Sequence, residues 1–343
     1  MSRKNGIGPS DVQPWPGETG GAPRTAAELQ RFVRSAFRLH IPNRAICPGH
    51  DAPLDYLSAS FLGQEDLLVW ANRGGGKTLL AAVATILDAV FHAPSQIRVL
   101  GGSFDQSDRL AEYIREMLLM HPGLVADRMT RQVCRLAGGS EIRMLAQSQR
   151  AVRGLHVQKI RCDEVDLFDS EVWRAVQFVT RSAGRTRGSI EVLSTLHRSG
   201  GLMQHLVAEA AAGSQPPPDD ETPDSEVVSP APGYRLIKWC LWEVIQRCPK
   251  HRSCEKCMLF EDCRGIAHQA NGFFRIDDAI AIKARSSRAA WEAEMLCRGP
   301  HRDWLVFGEF DPDRHVREIE SCPDWPLFRA IDFGYSSPLV CLW

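Results

Sequence analysis

No apolar run in the 343-residue sequence approaches the roughly 18 residues that cross a bilayer. A membrane-spanning helix is therefore not expected. The N-terminus lacks an apolar core followed by a cleavage site, so no secretory signal is read there, and the expected location is cytoplasmic. Excess charge is also missing. Lys and Arg total 41 against 42 Asp and Glu, a formal net charge of −1, which excludes a uniformly basic nucleic-acid-coating protein but not a local basic surface. No internal repeat recurs at a fixed period, which argues against a solenoid or propeller. The eleven cysteines are odd in number, and four crowd into sixteen residues. That distribution does not suit a disulfide-stapled secreted fold; it suits a reduced chain with one metal-type cluster.

What is present is ordinary globular material, 44% hydrophobic and 24% charged. Residues 1–23 are rich in Gly and Pro and read as a disordered arm. Beyond them strands and helices alternate. Helices are expected over 25–39, 77–92, 105–120, 170–180 and 202–212, and strands over 67–70, 97–100, 157–162 and 190–193. A hairpin is expected over 132–145 around Ala137-Gly138-Gly139-Ser140. This alternation predicts an α/β fold, a parallel sheet with helices on both faces, over 24–212. A Pro-rich acidic insert occupies 213–233, a Cys-rich helical subdomain 234–305, and a final segment with a strand pair 306–343.

Ala71-Asn72-Arg73-Gly74-Gly75-Gly76-Lys77-Thr78 follows a strand and opens a helix. Apart from Ala71 in place of the first glycine, it matches the phosphate-loop pattern. Glycines let successive backbone N–H groups turn toward phosphate oxygens, and the helix N-terminus adds partial positive charge. Lys77 is placed to reach the β- and γ-phosphates of ATP, and the Thr78 hydroxyl to ligate Mg²⁺. Arg73 reads either as a charge-stabilising finger in cis or as a solvated loop residue.

Asp163 and Glu164 close a strand that is only partly apolar. Adjacent strand side chains point opposite ways, so Asp163 is assigned to the Mg²⁺ shell and Glu164 to orienting the attacking water. Ser194-Thr195 ends the next strand and reads as a γ-phosphate sensor or as a plain turn. From Arg128 to Arg161 there are eight basic residues and one acid, Glu141, with Arg181, Arg185 and Arg187 in a second basic loop. This stretch is either a phosphate-contacting surface or a solvated face. Arg153 is a candidate to reach a neighbouring subunit's nucleotide.

Cys248-x₅-Cys254-x₂-Cys257-x₅-Cys263 can close a tetrahedral zinc site, the favoured reading; iron–sulfur ligation and free thiols are the alternatives. Cys47-x₂-His50 has no second pair nearby in the sequence and reads as a turn.

Taken in order, these residues resemble the large subunit of phage terminase, the ATP-driven DNA-packaging motor. Arg73-Gly74-Gly75-Gly76-Lys77-Thr78 resembles its deviant phosphate loop. Val152-Arg153-Gly154, Asp163-Glu164 and Ser194-Thr195 resemble its arginine, acidic and coupling motifs. Residues 306–311 resemble its interdomain segment, and Arg329–Tyr335 the opening strand of its RNase H-like nuclease, with Asp332 as the first metal-binding acid. The resemblance implies a RecA-like ATPase that translocates double-stranded DNA. It further implies a homo-oligomeric ring on a portal and a terminase small subunit as partner. The Cys cluster and the Pro-rich insert depart from the general pattern. The chain also stops eleven residues after Asp332, whereas two-metal cleavage takes several carboxylates, so nuclease activity is not expected from this chain. The alternatives are another RecA-like DNA-dependent ATPase or an inactive remnant that only binds nucleic acid.

Overall fold

Five apolar residues, Leu67–Ala71, form a strand (β1) buried on both faces. Such a run suits the interior of a parallel sheet. In the computed structural model β1 pairs in parallel with Ser189–Ser194 (β6) on one side and Arg235–Trp239 (β7) on the other. The remaining strands are Gln96–Gly101 (β2), Val133–Arg135 (β3), Glu141–Leu145 (β4) and Lys159–Asp163 (β5). The sheet order is β3-β4-β2-β5-β6-β1-β7. Every pairing in it is parallel except the β3–β4 hairpin, which is antiparallel as its Gly-Gly turn predicts.

The structure describes residues 15–299, apart from 103, 128, 146–151, 153–155, 185, 197 and 213–232, together with 330–332 and 340–342. The chain divides into two compact units, Met1–Arg302 and Asp303–Trp343.

Alternation along the strands builds two cores. Leu67, Val69 and Ala71 face one of them. That side is covered by Ala26–Phe37 (α1), Pro53–Ser58 (α2), Lys77–Phe91 (α3) and Phe104–Leu119 (α4). Leu68 and Trp70 face the other, under Ser170–Val176 (α5), Leu202–Ala212 (α6) and Leu241–Val244 (α7). Phe260–Cys263 (α8), Ile276–Arg285 (α9) and Arg288–Glu294 (α10) follow on the same side. Leu259, Ile276 and Trp291 share the core of Val172 and Met203, so the Cys-rich segment packs onto the sheet's second face.

Three expectations are corrected. Trp15 is 5% exposed and packs edge-on against Phe32 and His121, with Gly17–Gly20 helical beside it. Residues from Trp15 onward are therefore folded, because one indole supplies the apolar surface that the Gly-Pro composition hides. β7 is a sheet strand inside the segment expected to be helical; its Arg235 and Lys238 obscure the edge-strand pattern. Lys159 and Arg161 belong to no basic surface, since both are fully buried.

Those two cations sit on the α3 side of β5. Arg161 Nε donates to Glu191 Oε2 at 2.9 Å, its Nη1 to Thr85 Oγ1 at 3.1 Å, and its Nη2 to Ser60 Oγ at 3.0 Å and to Asp88. Lys159 Nζ lies 3.2 Å from Asp88 and 3.6 Å from Glu191. Two cations thus meet two carboxylates, and Tyr56 donates to Glu191 at 2.9 Å. Burial alone would raise the Asp88 carboxyl, but Lys159 and Arg161 outweigh it and hold it well below the usual range. Elsewhere in the expected basic stretch, Arg131 pairs with Asp108, and Arg135 and Arg143 pair with Glu141. Arg128, Arg150 and Arg153 lie outside the described residues. Arg181 and Arg187 are exposed.

In the second unit, Ala330–Asp332 (β8) and Val340–Leu342 (β9) pair antiparallel, Asp332 facing Val340 in register. Among the described residues, no helix is long and apolar enough to cross a membrane.

Candidate nucleotide site and metal centres

β1, β6 and β5 are neighbours, so their C-terminal ends bring the phosphate-loop motif, Ser194 and Asp163 to one edge of the sheet, where parallel α/β sheets bind ligands. The loop between β1 and α3 turns on two left-handed glycines, Gly74 (φ 73°) and Gly76 (φ 84°). Gly75 leaves no room for a side chain: a Cβ there would lie 2.4 Å from Asn72 Oδ1 and 2.9 Å from Asn72 O. Three contacts hold the loop from outside or across its turn. Arg73 N donates to Glu294 O at 2.8 Å, Gly75 N to Asn72 O at 3.0 Å, and Trp239 Nε1 to Gly75 O at 3.0 Å.

A cleft of about 720 Å³ opens in front of the loop. Arg73, Gly74, Gly75, Gly76, Lys77 and Thr78 line it together with Asp163, Glu164 and Thr195. Thr78 Oγ1 donates to Asp163 Oδ2 at 2.9 Å, and Lys77 Nζ pairs with Glu164 Oε1 at 2.9 Å. Ser194 Oγ donates to Glu164 Oε2 at 3.3 Å. Glu164 itself is left-handed (φ 58°), a strained conformation for a non-glycine residue. Burial pushes the Asp163 carboxyl up to about 6; Glu164 adds to the rise and Lys77 opposes it. Asp163 Oδ1 is buried without a hydrogen-bond partner, an acceptor of the kind an oxygen-seeking cation takes.

The structure therefore brings together all of the expected phosphate-loop and acidic residues, with two distinctions. Asn72 is fully buried beneath the loop and donates to Arg73 O at 3.0 Å, so its contribution is to loop shape. Ser194 is likewise buried, and reaches the cleft through Glu164. Arg153 lies outside the described residues, and Asp332 belongs to the other unit. Sequence reading misses other residues that line the cleft: Arg38, His40 and Pro42 from the segment after α1, and Arg109 and Tyr113 from α4. Only spatial proximity identifies these residues, since neither segment carries a motif.

Cys248, Cys254, Cys257 and Cys263 line one small cavity of about 20 Å³, and His268 joins them. Cys254 Sγ lies 3.7 Å from His268 Nε2, and His268 Nδ1 contacts Cys248 O at 3.1 Å. Yet among the described residues the group of three or more candidate ligands whose atoms all lie within 4.8 Å of one another is elsewhere: Cys47, His50, Cys240 and Glu243. The Cys47–His50 turn exists, with Gly49 left-handed and His50 N donating to Cys47 O, but a second pair faces it from 193 residues away. Burial would lower the His50 imidazole, but Cys47 and Glu243 outweigh it and raise it to about 9. A hydrogen bond from Cys240 lowers the Cys47 thiol to about 7 against the effect of burial.

No protein-family model matches the chain, and no curated protein matches it by sequence. Solved structures do. The chain is similar to the HK97 bacteriophage large terminase (16% identity, TM-score 0.48), covering 74% of this chain and 52% of that one. It is similar to the large terminase ATPase domain of Thermus phage P74-26 (12% identity, TM-score 0.43), covering 68% and 87% respectively. A third likeness is to the large terminase of a thermophilic bacteriophage in complex with ATP-γ-S (12% identity, TM-score 0.44), covering 81% and 59%. The chain thus spans little more than half the length of the HK97 protein and of the ATP-γ-S-bound one.

Proposed function

We propose that this chain is an Mg²⁺-dependent ATP hydrolase whose turnover drives movement of double-stranded DNA, in the manner of a phage large terminase. One observation carries the hydrolase reading: Lys77-Thr78 and Asp163-Glu164, 85 residues apart along the chain, meet in one cleft. The backbone N–H groups of Gly74, Gly76 and Lys77 cradle phosphate oxygens, while that of Gly75 stays on Asn72 O. Thr78 and Asp163 would hold Mg²⁺, and the ion would supply positive charge to offset that of the phosphates. Without nucleotide, Lys77 is engaged by Glu164, and an incoming phosphate replaces that carboxylate as its partner. Glu164, released but still tethered by Ser194, is then placed to orient water. Arg73 and a neighbouring subunit's Arg153 stabilise developing charge, and Thr195 reports γ-phosphate loss.

The DNA-motor reading rests on the order of the motifs. With it go a ring of identical subunits on a portal, a small-subunit partner, and Asp332 as an acid of a nuclease unit. The four-cysteine cavity is assigned a structural metal, zinc first and an iron–sulfur cluster second; elemental analysis of protein purified without chelator distinguishes them.

ATP binding and turnover, measured separately and with added duplex DNA, test the proposal. Lys77→Ala should abolish binding, and Glu164→Gln should retain binding and stop turnover. Wild-type turnover in Glu164→Gln would overturn the assignment. Turnover stimulated by duplex DNA without strand displacement favours a packaging motor over a helicase, and nucleic-acid binding without turnover favours the inactive remnant.

A further inference from the structure

Two Cys-x₂-acceptor turns face each other. The first is Cys47-Pro48-Gly49-His50, between α1 and α2. The second is Cys240-Leu241-Trp242-Glu243, where β7 passes into α7 and Cys240 is the N-cap. The two sulfurs are 3.8 Å apart, and His50 Nδ1 is 3.1 Å from Glu243 Oε2. A tetrahedral ion with metal–sulfur bonds of about 2.3 Å sets its two sulfurs about 3.8 Å apart, and imidazole and carboxylate ligands at about 2.1 Å lie roughly 3.4 Å from each other. The sulfur separation matches that figure, the imidazole–carboxylate separation is a few tenths of an ångström shorter, all four ligand atoms lie within 4.8 Å of one another, and the sulfurs are far beyond the roughly 2.05 Å of a disulfide.

The surroundings favour the same reading. Glu243 is fully buried, and its oxygens accept from Ile46 N at 3.2 Å, Cys47 N at 2.7 Å and Cys240 N at 2.8 Å. Three backbone donors thus fix the carboxylate's orientation before any ligand arrives, the outer-shell support that metal-binding carboxylates receive. Trp242 N donates to Cys240 Sγ at 3.4 Å, a contact that opposes the burial holding this thiol protonated in the absence of an ion. Cys240 is buried, while Cys47 and His50 are only partly so, which leaves one side open for entry.

We propose that Cys47, His50, Cys240 and Glu243 bind one structural zinc ion, separate from the Cys248–Cys263 cavity. Two thiolates, an imidazole and a carboxylate form a borderline-soft tetrahedral set suited to Zn²⁺. Binding releases the thiol and imidazolium protons. The ion fastens the loop before α2 to the end of β7. Asp51 N already donates to Lys238 O at 2.6 Å there, and Trp239 reaches the phosphate loop. The preceding residues Arg38–Pro42 line the nucleotide cleft, so the ion braces that wall.

The test uses the full chain purified without chelator, with zinc counted by elemental analysis. A Cys254→Ser/Cys257→Ser variant, which disables the other cavity, should retain about one equivalent, and adding Cys47→Ser should remove it. Cobalt(II) titrated into the metal-free Cys254→Ser/Cys257→Ser protein should give thiolate-to-cobalt absorption that Cys240→Ala abolishes. If that double variant does not fold, Cys47→Ser alone should lose one equivalent relative to the unsubstituted chain, and amide exchange should rise at 46–51 and 238–244. Several results would overturn the proposal. These are a folded Cys254→Ser/Cys257→Ser protein without zinc or cobalt absorption, an unchanged zinc count in Cys47→Ser, or a Cys47–Cys240 disulfide in place of bound metal. ATP turnover enters none of these readouts, so the zinc site and the hydrolase assignment fail separately.

Discussion

Replacing Arg161 with methionine removes a guanidinium that reaches both Asp88 and Glu191 inside the α3–β5 interface. The side chain is fully buried and donates five hydrogen bonds to four residues, Glu191, Thr85, Ser60 and Asp88. In the variant, two buried carboxylates share Lys159, with His92 Nδ1 still 2.9 Å from Asp88 and the Tyr56 and Ser60 hydroxyls still donating to Glu191. Breaking a buried ion pair from one side costs about 3–5 kcal/mol. The middle of that range is roughly a thousand-fold in the folding equilibrium at about 1.4 kcal/mol per decade, or on the order of 10 °C in Tm at about 2–4 °C per kcal/mol. Denaturant titration followed by tryptophan fluorescence measures it. Adding Glu191→Gln to Arg161→Met restores one cation to one anion and should recover about half of the loss. The pH dependence carries the same signature. Asp88 titrates below its ordinary value when folded, so its stabilisation is complete above the unfolded pKa of about 4 and is lost as pH falls through the lower folded value. Arg161→Met should flatten that acid limb. A single variant within about 1 kcal/mol of wild type, or a double variant no more stable than the single, would refute the reasoning.

Further outcomes follow from contacts around the cleft and the N-terminus. Gly75→Ala should abolish nucleotide binding in equilibrium titrations while far-UV circular dichroism stays native, because its Cβ collides with Asn72 and only the loop can shift. Trp239→Phe removes the hydrogen bond to Gly75 O and should weaken nucleotide affinity several-fold, corresponding to about 1 kcal/mol, in the same titration. Trp15→Ala should cost about 3 kcal/mol in denaturant midpoint analysis, since the indole packs against Phe32, Phe37, Phe91 and His121; a disordered arm would tolerate it.

The parts of the fold that could be read from sequence are those where local pattern and tertiary role agree. Lys77–Phe91 and Leu202–Ala212 are regular helices with apolar faces, and the Gly-Gly hairpin declares its own turn. The phosphate loop is legible because its glycines answer to backbone geometry within six residues. Lys159 and Arg161 mislead because a charge's burial depends on partners from α3 and β6, and nothing local announces Asp88 or Glu191 as counterions. The Cys47–His50 turn is legible, but Cys240 and Glu243, which face it from just after β7, are announced by nothing local. Arg38 and Arg109 reach the cleft only through helix packing.

The position of β7 has a consequence for how the protein is made. β1, the strand that launches the phosphate loop, pairs with residues 189–194 and 235–239. During synthesis from the N-terminus, the loop's own strand therefore has both edges open until β6 emerges, and one edge open until β7 does. Pairings of such long sequence separation form slowly and expose strand edges while they wait. Glu191 must arrive before Tyr56 and Ser60 find their acceptor, and Trp239 before Gly75 O finds its donor. A nascent chain released shortly before residue 239 would carry the complete phosphate-binding motif on an unfinished sheet. Ribosome-stalled chains of graded length should gain nucleotide binding only once β7 has cleared the exit tunnel.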